Sequence, residues 1–313
     1  MIEARVQTSL ISVLGDRVEF DVPMSRHTSL RIGGPAEAMA TPATRDELAK
    51  TLAICAENSI PTRVLGAGFN VLVSDDGLAG VVLRLKKLRA IERVSEDTIS
   101  IEAGASHATI TRYCVEQGLS GLEFGAGIPG TLGGWLAMNA GIGVREMKDV
   151  VRAIGVVDAR GERCDKIARG DLSFRYRELG GLPEGSVLVR AELAVEPSDR
   201  ETVQREIDRL LAHRQATQPT DIPSCGSVFR NPEGDCAGRL IEAVGLKGTR
   251  VGDAESSSVH ANFIVNHGGA TAADVLRLIQ RAQATVARET GIQLETEVQL
   301  LGEAPSHSET HAS

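Results

Sequence analysis

Residues 125–134 read Gly125-Ala126-Gly127-Ile128-Pro129-Gly130-Thr131-Leu132-Gly133-Gly134, and Asn139-Ala140-Gly141 and Gly143 follow. Each Gly gives up more chain entropy on folding than any other residue, so turns alone account poorly for this density. Two readings stand at this point: a backbone wall against a large flat or phosphorylated cofactor, or a mobile loop. A second glycine stretch lies upstream, Leu65-Gly66-Ala67-Gly68-Phe69-Asn70-Val71-Leu72-Val73. Glycines 66 and 68 follow a short strand-like run, which suits close backbone approach to a phosphate. The third Gly of a dinucleotide fingerprint is missing, because position 71 is Val, and Val71-Leu72-Val73 reads as a strand. A Rossmann turn is therefore not indicated, and turn amides rather than a helix terminus would hold any phosphate. The plainer alternative is a hairpin turn.

The surrounding chain is ordinary in composition. Its 313 residues imply about two domains. Hydrophobic residues at 42% and charged residues at 24% exclude disorder over most of the length. Aromatics are only 3%, which disfavours single-strand nucleic-acid binding through stacked rings. A net charge of −8 disfavours a nucleic-acid partner generally, while leaving room for a small anionic ligand. No stretch approaches the roughly 18 apolar residues of a membrane helix. Met1 to Phe20 lacks the apolar segment and cleavage pattern of a secretory signal, so a cytoplasmic setting is expected. Cys55, Cys114, Cys164, Cys225 and Cys236 form no C-x-x-C pair and read as free thiols in a reducing compartment. No Walker loop, no H-E-x-x-H and no histidine metal spacing is present, so no metal is expected.

Periodicity and capping signals mark alternating strands and helices. Thr44-Arg45-Asp46-Glu47 has capping-box form and opens a helix carrying Leu48, Leu52 and Ala56. Ser106 caps a helix bearing Ile110, Cys114 and Val115. Ser198-Asp199-Arg200-Glu201 opens a long helix with Val203, Ile207, Leu210 and Leu211, and a domain boundary is placed near it. Thr271 to Asp274 begins a helix with Val275, Leu278, Ile279, Ala282 and Val286, stopped by Gly291. Strands are expected at Arg63–Leu65, Gly80–Leu85, up to Ile101, and at Ala153–Asp158, Val187–Val195, Val259–Val265 and Gly291–Leu301. Pro305 to Ser313 reads as a disordered tail.

Three further stretches carry chemistry-bearing residues. Pro223-Ser224-Cys225-Gly226-Ser227-Val228-Phe229-Arg230-Asn231-Pro232 looks like a site loop but lacks the G-x-S-x-G of a hydrolase elbow. Cys225 is a nucleophile or a small packed residue, and Ser227 a site residue or a turn residue. In Asp171-Leu172-Ser173-Phe174-Arg175-Tyr176-Arg177, two Arg around a Tyr would clamp a carboxylate or phosphate, or are solvated surface cations. In Leu294-Glu295-Thr296-Glu297-Val298, strand alternation would send both Glu to one face, as at an exposed edge.

Taken together and in order, these motifs resemble one family. Thr28-Ser29-Leu30-Arg31-Ile32-Gly33-Gly34-Pro35, the Gly66–Asn70 loop, Gly118-Leu119-Ser120-Gly121-Leu122-Glu123-Phe124 running into Gly127-Ile128-Pro129-Gly130, and Met138-Asn139-Ala140-Gly141 are similar to the flavin-binding half of the UDP-N-acetylenolpyruvoylglucosamine reductases (MurB). Pro223–Pro232, Ala237–Glu242, Gly245–Gly248, His260–Asn266 and Leu294–Val298 resemble their substrate domain. The resemblance runs from about residue 20 to 302 and points to the shorter, type II form.

The resemblance implies an α+β fold: an FAD-binding unit of the vanillyl-alcohol oxidase/p-cresol methylhydroxylase (PCMH/VAO) type, made of two subdomains, then a smaller α/β substrate-binding domain. The expected division is 1–83 and 84–197 for the flavin-binding subdomains, 198–302 for the substrate domain, and 303–313 for the tail. The implied reaction is NADPH-dependent reduction, through FAD, of the enolpyruvyl ether of UDP-N-acetylglucosamine enolpyruvate to UDP-N-acetylmuramate, in peptidoglycan synthesis. Hydride from the flavin adds to the terminal enolpyruvyl carbon, and negative charge develops on the next carbon and its carboxylate. By family match, Arg177 holds that carboxylate, Ser227 gives the proton, and Glu297, which directly precedes Val298, is the second acid–base or electrostatic residue. The match also implies cofactor contacts at Gly66, Ala67, Gly68, Phe69, Asn70, Gly127, Ile128, Pro129, Gly130, Thr131, Gly134, Asn139 and Gly141, and substrate contacts at Tyr176, Arg230, Asn231, Lys247 and His260. A monomer without nucleic-acid or membrane partners is expected.

This chain departs from the family pattern in places. Phe69 stands where Ser is frequent, Cys225 where Ala is usual, Arg230 where Lys is common, and Arg175 where a small residue is common. A serine frequent after the Arg is absent. None removes the proposed catalytic trio. Two other hypotheses remain open at this level: a different flavin oxidoreductase on the same scaffold, and a non-catalytic nucleotide-sugar-binding paralogue.

Overall fold

The Thr271–Asp274 signal folds as its chemistry dictates. In the computed structural model, which describes residues 1–302 and only the backbone of Cys164 and Asp165, Thr271 and Asp274 form a complete capping box. The expected tail, residues 303–313, lies outside the described residues. The chain divides into two compact units. The first comprises residues 1–20, 38–67 and 80–216, and the second residues 21–37, 68–79 and 217 onward.

The first unit contains helices α1 (Ala4–Leu14), α2 (Arg45–Glu57), α3 (His107–Gln117), α4 (Leu132–Ala137) and nearly all of α5 (Arg200–Thr217). Thr44 Oγ1 accepts from the Glu47 amide at 3.1 Å and starts α2. The Glu47 carboxylate reaches back one residue further than a capping box requires, to the Ala43 amide at 2.7 Å. Ser106 caps α3 through the Thr109 amide at 3.2 Å, and Gly118 ends it in the left-handed conformation. An antiparallel five-stranded sheet runs in the order Arg163–Ala168, Val151–Val157, Val187–Ala194, Thr98–Glu102, Ile91–Ser95. The Val187–Ala194 strand alternates buried and half-buried residues, the period-2 pattern of a strand with one face on the core. Elsewhere Thr62–Val64 runs parallel to residues 81–83. Two apolar cores result. One gathers Ile99, Ile110, Trp135, Leu136, Ile154 and Leu193. The other gathers Leu10, Leu14, Leu48, Leu52, Val81 and Leu83.

The second unit holds α6 (Ala237–Ala243), α7 (Ala272–Thr290) and an antiparallel sheet in the order Ser224–Ser227, Phe263–Asn266, Ala254–Ser256, Arg250–Val251. The α7 stripe Val275, Leu278, Ile279, Ala282 and Val286 is buried, and Gly291 stops the helix in the left-handed region. The Asp75 carboxylate also caps α7, accepting from Ala272 at 2.9 Å and Ala273 at 3.1 Å. Gln299–Leu301 pairs in parallel with Val71–Val73.

Several sequence expectations shift. Asp199, not Ser198, caps α5, accepting from the Thr202 amide at 2.8 Å. Cys55 rather than Ala56 joins the buried face of α2, and Leu211 of α5 is exposed. The expected strand Val259–Val265 is a strand only at Phe263–Asn266. Before it, the Ser257 hydroxyl accepts from the Val259 amide (3.1 Å) and the His260 amide (3.4 Å) and bends the chain into a turn. The expected strand Gly291–Leu301 is likewise confined to Gln299–Leu301. Residues 295–297 instead bond to the 228–230 segment, with one isolated bridge at Thr296. The alternation argument for Glu295 and Glu297 therefore fails: Glu295 is exposed and Glu297 half-buried.

Candidate functional site

In the first unit the two glycine stretches meet. A Cβ built on Gly66 would stand 2.9 Å from Thr131 Oγ1. The 129–133 segment is anchored from behind: His107 N donates to Gly130 O at 3.1 Å, Leu132 N to Ala105 O at 3.0 Å and Gly133 N to Ala103 O at 2.8 Å. Trp135 Nε1 donates to Ile128 O at 3.1 Å, which pins the Ile128-Pro129 turn.

The glycines divide by purpose. A Cβ on Gly125 would stand 2.2 Å from the Trp135 ring, one on Gly127 2.5 Å from Ile142, and one on Gly141 2.3 Å from the Arg145 carbonyl. These three are small because the chain packs against itself. Gly134 is different. It is exposed, and its nearest neighbour to a built Cβ is Thr131 Oγ1 at 3.8 Å. A helical Gly costs about 1 kcal/mol against Ala, so an exposed one in α4 with room for a methyl group is spent on something outside the chain. Gly66 and Gly134 both lie near Thr131 Oγ1, and Gly130 takes φ +145, so the three leave a backbone cradle bare of side chains. Arg214, in the last turn of α5, has a buried Nε with no hydrogen-bond partner. Burial lowers the Arg214 pKa. Burial also lowers the His107 pKa, and the Arg214 charge adds to the effect. A Gly-walled cradle fits a large flat cofactor such as FAD, whose phosphates backbone amides can hold.

The Arg-Tyr-Arg motif forms a hairpin in the same unit. Ser173–Arg175 pairs with Glu178–Gly180, leaving Tyr176-Arg177 as the two-residue turn. Arg177 takes φ +58, a conformation uncommon for a residue with a side chain, and its guanidinium lies over the Tyr176 ring at 4.7 Å. Tyr176 is 41% exposed. Asn139, fully buried with φ +38, holds the hairpin's base. Its Nδ2 donates to Arg175 O and to Glu146 Oε2, both at 3.0 Å, and its Oδ1 accepts from the Lys148 amide at 2.9 Å. The side chain expected to touch a cofactor is thus engaged inside the protein.

In the second unit, the Ser227 segment, the 295–299 segment and Gly68-Phe69-Asn70 come together. Glu297 N donates to Val228 O at 2.8 Å, and Arg230 N to Glu295 O at 2.9 Å. Asn70 Nδ2 donates to Glu297 O at 3.1 Å, and Gln299 N to Asn70 O at 3.0 Å. Ser227 and Glu297 therefore lie on neighbouring backbone segments. Ser29 N donates to Gly68 O at 2.9 Å, and its hydroxyl is 2.6 Å from Ser224 O. Gly68 has φ +74, and a Cβ there would stand 2.2 Å from His27 O, so only Gly makes this turn.

Asn262 is a positioning residue that the motifs did not single out. Its backbone carbonyl accepts from Val228 N at 2.8 Å. Its side chain accepts from Phe229 N at 2.9 Å and donates to Phe229 O at 2.8 Å. A buried Asn inside the apolar run Ala261-Asn262-Phe263-Ile264-Val265 was the available signal. Of the expected substrate residues, Asn231 Oδ1 accepts from the Ala237 amide at 3.0 Å, and Lys247 pairs with Glu242 at 3.0 Å. Arg230 has a buried Nε with no partner. His260 Nδ1 accepts from the Asn262 amide at 3.2 Å, which leaves Nε2 as the donor of the neutral ring. Burial lowers the His260 pKa. Cys225 is buried in the core of this unit, and burial pushes its thiol up to about 12. It is a packed residue and not an activated nucleophile. Among the described residues no His, Cys, Asp and Glu cluster could hold a metal, and no helix is long and apolar enough to cross a membrane.

Comparison with known proteins agrees with this layout. Residues 36–165 match the FAD binding domain family. Residues 218–301 match the family described as UDP-N-acetylenolpyruvoylglucosamine reductase, C-terminal domain. UDP-N-acetylenolpyruvoylglucosamine reductase 2 of Symbiobacterium thermophilum is 43% identical over 298 residues, spanning 95% of this chain and 96% of that protein. The reductase of Anaeromyxobacter dehalogenans is 48% identical over 288 residues, spanning 91% and 86% respectively. The crystal structure of the reductase from Thermus caldophilus superposes with a TM-score of 0.79 at 36% identity, covering 91% of this chain and 99% of that one.

Proposed function

The chain belongs to the UDP-N-acetylenolpyruvoylglucosamine reductase family, and we propose on that basis that it reduces UDP-N-acetylglucosamine enolpyruvate to UDP-N-acetylmuramate with NADPH as reductant, in peptidoglycan precursor synthesis. The observation that carries this reading is the likeness over nearly the whole chain, flavin-binding and reductase-specific parts together. FAD, held by the glycine cradle of the first unit, would supply the hydride chemistry that links NADPH to the terminal carbon of the enolpyruvyl group.

The residues divide the remaining work. Gly66, Ala67, Gly130, Thr131 and Gly134 give FAD a backbone wall in the first unit, with Gly127, Ile128, Pro129 and Gly141 shaping it. Gly68, Phe69 and Asn70 belong to the same reading. Arg177 holds the substrate carboxylate with two parallel N–H donors and stabilises the charge that develops on it. Ser227 Oγ–H gives its proton to the carbon next to that carboxylate. A hydroxyl is a weak acid that stays protonated at neutral pH, and the enolate-like carbon is basic enough to take its proton. Glu297 acts beside Ser227 as the second acid–base or electrostatic group. Tyr176, Arg230, Asn231, Lys247 and the His260 Nε2–H contact the UDP-sugar. The unpartnered Arg230 Nε is the feature that best supports an anionic ligand there.

We read the two apolar cores of the first unit as the two flavin-binding subdomains. The protein works as a monomer in the cytoplasm, where a UDP-linked substrate resides, without nucleic-acid or membrane partners. Anaerobic half-reactions test the function. NADPH should bleach the flavin absorbance, and UDP-N-acetylglucosamine enolpyruvate should restore it. Bleaching without recovery would mean another acceptor.

A further inference from the structure

Ser227 lies at the end of an edge strand. Ser224–Ser227 is the outermost strand of the sheet in the second unit and pairs only with Phe263–Asn266. That pairing slips between Ser224 and Ser227, and Gly226 within the slip takes φ +78. Such a bulge re-aims a side chain and interrupts the ladder that would otherwise fix the strand. Two bonds from outside the sheet bracket Ser227. After it, the Val228 carbonyl accepts from the Glu297 amide at 2.8 Å. Before it, the Ser224 carbonyl accepts from the Ser29 hydroxyl at 2.6 Å, across 195 residues of chain. The Pro223 carbonyl takes the Asn266 amide at 2.9 Å, so the next carbonyl, that of Ser224, faces the free edge of the strand.

Ser29 has one hydroxyl proton. Its oxygen also lies 3.0 Å from the Gly68 carbonyl, but that carbonyl already accepts from the Ser29 amide at 2.9 Å, so the proton goes to the nearer Ser224 carbonyl. The amide and the hydroxyl of one residue thus join the Gly68 turn to the Ser227 strand. The same turn reaches the other proposed acid–base residue, because Asn70 Nδ2 donates to Glu297 O at 3.1 Å. We propose that Ser29 is a positioning residue for the proton-transfer step: its hydroxyl fixes the Ser224 end of the bulged strand and so sets where Ser227 Oγ stands. This rests on the reading of Ser227 as the proton donor. Ser29 and Ser224 are both half-buried, so loss of the hydroxyl leaves the Ser224 carbonyl short of a partner and the strand free to shift.

The test uses the full, flavin-loaded chain with Ser29→Ala, Ser29→Thr and Ser227→Ala. Ser29→Ala keeps the amide bond to Gly68 and loses the tie to Ser224, whereas Ser29→Thr keeps both. Reduction of the flavin by NADPH and its reoxidation by UDP-N-acetylglucosamine enolpyruvate are followed separately by rapid mixing, in ordinary and in heavy water. Amide hydrogen exchange is mapped over residues 224–229. Ser29→Ala should keep flavin reduction within about twofold of wild type and slow reoxidation by about 10- to 100-fold. Its solvent isotope effect on reoxidation should rise, because delivery of the Ser227 proton then limits the step, and exchange over 224–229 should quicken. Ser29→Thr should restore all three. Reoxidation of Ser29→Ala within about twofold of wild type would overturn the proposal. So would equal slowing of both half-reactions, slower reoxidation at an unchanged isotope effect, unchanged exchange over 224–229, or a Thr variant no better than Ala. A Ser227→Ala protein that reoxidises at the wild-type rate would instead overturn the proton-donor reading beneath it.

Discussion

The buried amide of Asn139 donates to the backbone carbonyl of Arg175 at 3.0 Å, so the residue two before Arg177 is tied to the core. The same amide reaches Glu146, so one buried side chain ties the strand end to residue 146. Asn139→Ala removes these bonds and puts Ala where φ is +38. The expected loss is about 1–3 kcal/mol of stability and, because Arg177 is displaced, about 100-fold in kcat/KM. Melting curves and steady-state kinetics check both. Unchanged kinetics in a folded variant would remove Asn139 from the positioning of Arg177.

Ser227 and Glu297 lie on bonded neighbouring segments, whereas the Glu295 side chain is exposed. Ser227→Ala should keep flavin reduction by NADPH and cut turnover by about 10²–10⁴-fold. Glu297→Gln should lose about 100-fold or more, and Glu295→Gln should stay within about twofold. Rapid-mixing measurement of the two half-reactions separates them. If Ser227→Ala slowed flavin reduction as much as turnover, its role as proton donor would be wrong.

Gly134 is exposed in α4 with room for a methyl group. Gly134→Ala should stabilise the flavin-free protein by up to about 1 kcal/mol and still weaken FAD binding, because the added methyl stands in the cradle. Opposite shifts in the melting temperatures of stripped and FAD-loaded protein are the signature. A variant that binds FAD as wild type does would mean that the cofactor does not approach this turn.

Thiol reactivity should follow burial. Burial holds the thiols of Cys55 (to about 11), Cys114 and Cys225 (both to about 12) far above the ordinary value, while Cys236 is exposed. Brief alkylation of the native protein, mapped by mass spectrometry, should mark Cys236 and spare the other three until unfolding. Cys225 alkylated as fast as Cys236 would show that the Ser227 segment opens.

Burial of His107 and His260 lowers both pKa values from the ordinary 6.5. The sign follows directly. As pH falls below about 6.5, the unfolded chain takes up protons that the folded chain still refuses, so stability falls until the folded rings protonate too. Above that window these two rings contribute no pH dependence. Melting temperatures at pH 7.5 and 5.5 should show the drop, and His260→Gln should reduce it. An unchanged pH slope in that variant would count against burial of a neutral ring at 260.

The helices that the sequence signalled best are those whose signals are local. Thr44, Ser106 and Thr271 cap helices within three residues of themselves, and Gly118 and Gly291 end them. α1 carries no such local signal: Val6, Leu10 and Leu14 recur every four residues, but no capping side chain marks its start. The strands expected at 259–265 and 291–301 are longer than those observed, because apolar runs do not report a Ser257 turn or bonding to residues 228–230.

The order of motifs, the capped helices and the family were determined by the sequence alone, since capping, periodicity and motif spacing act over a few neighbouring residues. Tertiary structure decided the rest. It spent Asn139 inside the protein, buried Cys225, brought Ser227 beside Glu297 across 70 residues of chain, and left the Arg214 Nε without a partner. The physical reason is that burial and hydrogen-bond partners are set by sheet register and core packing between distant segments, which no local window of residues contains.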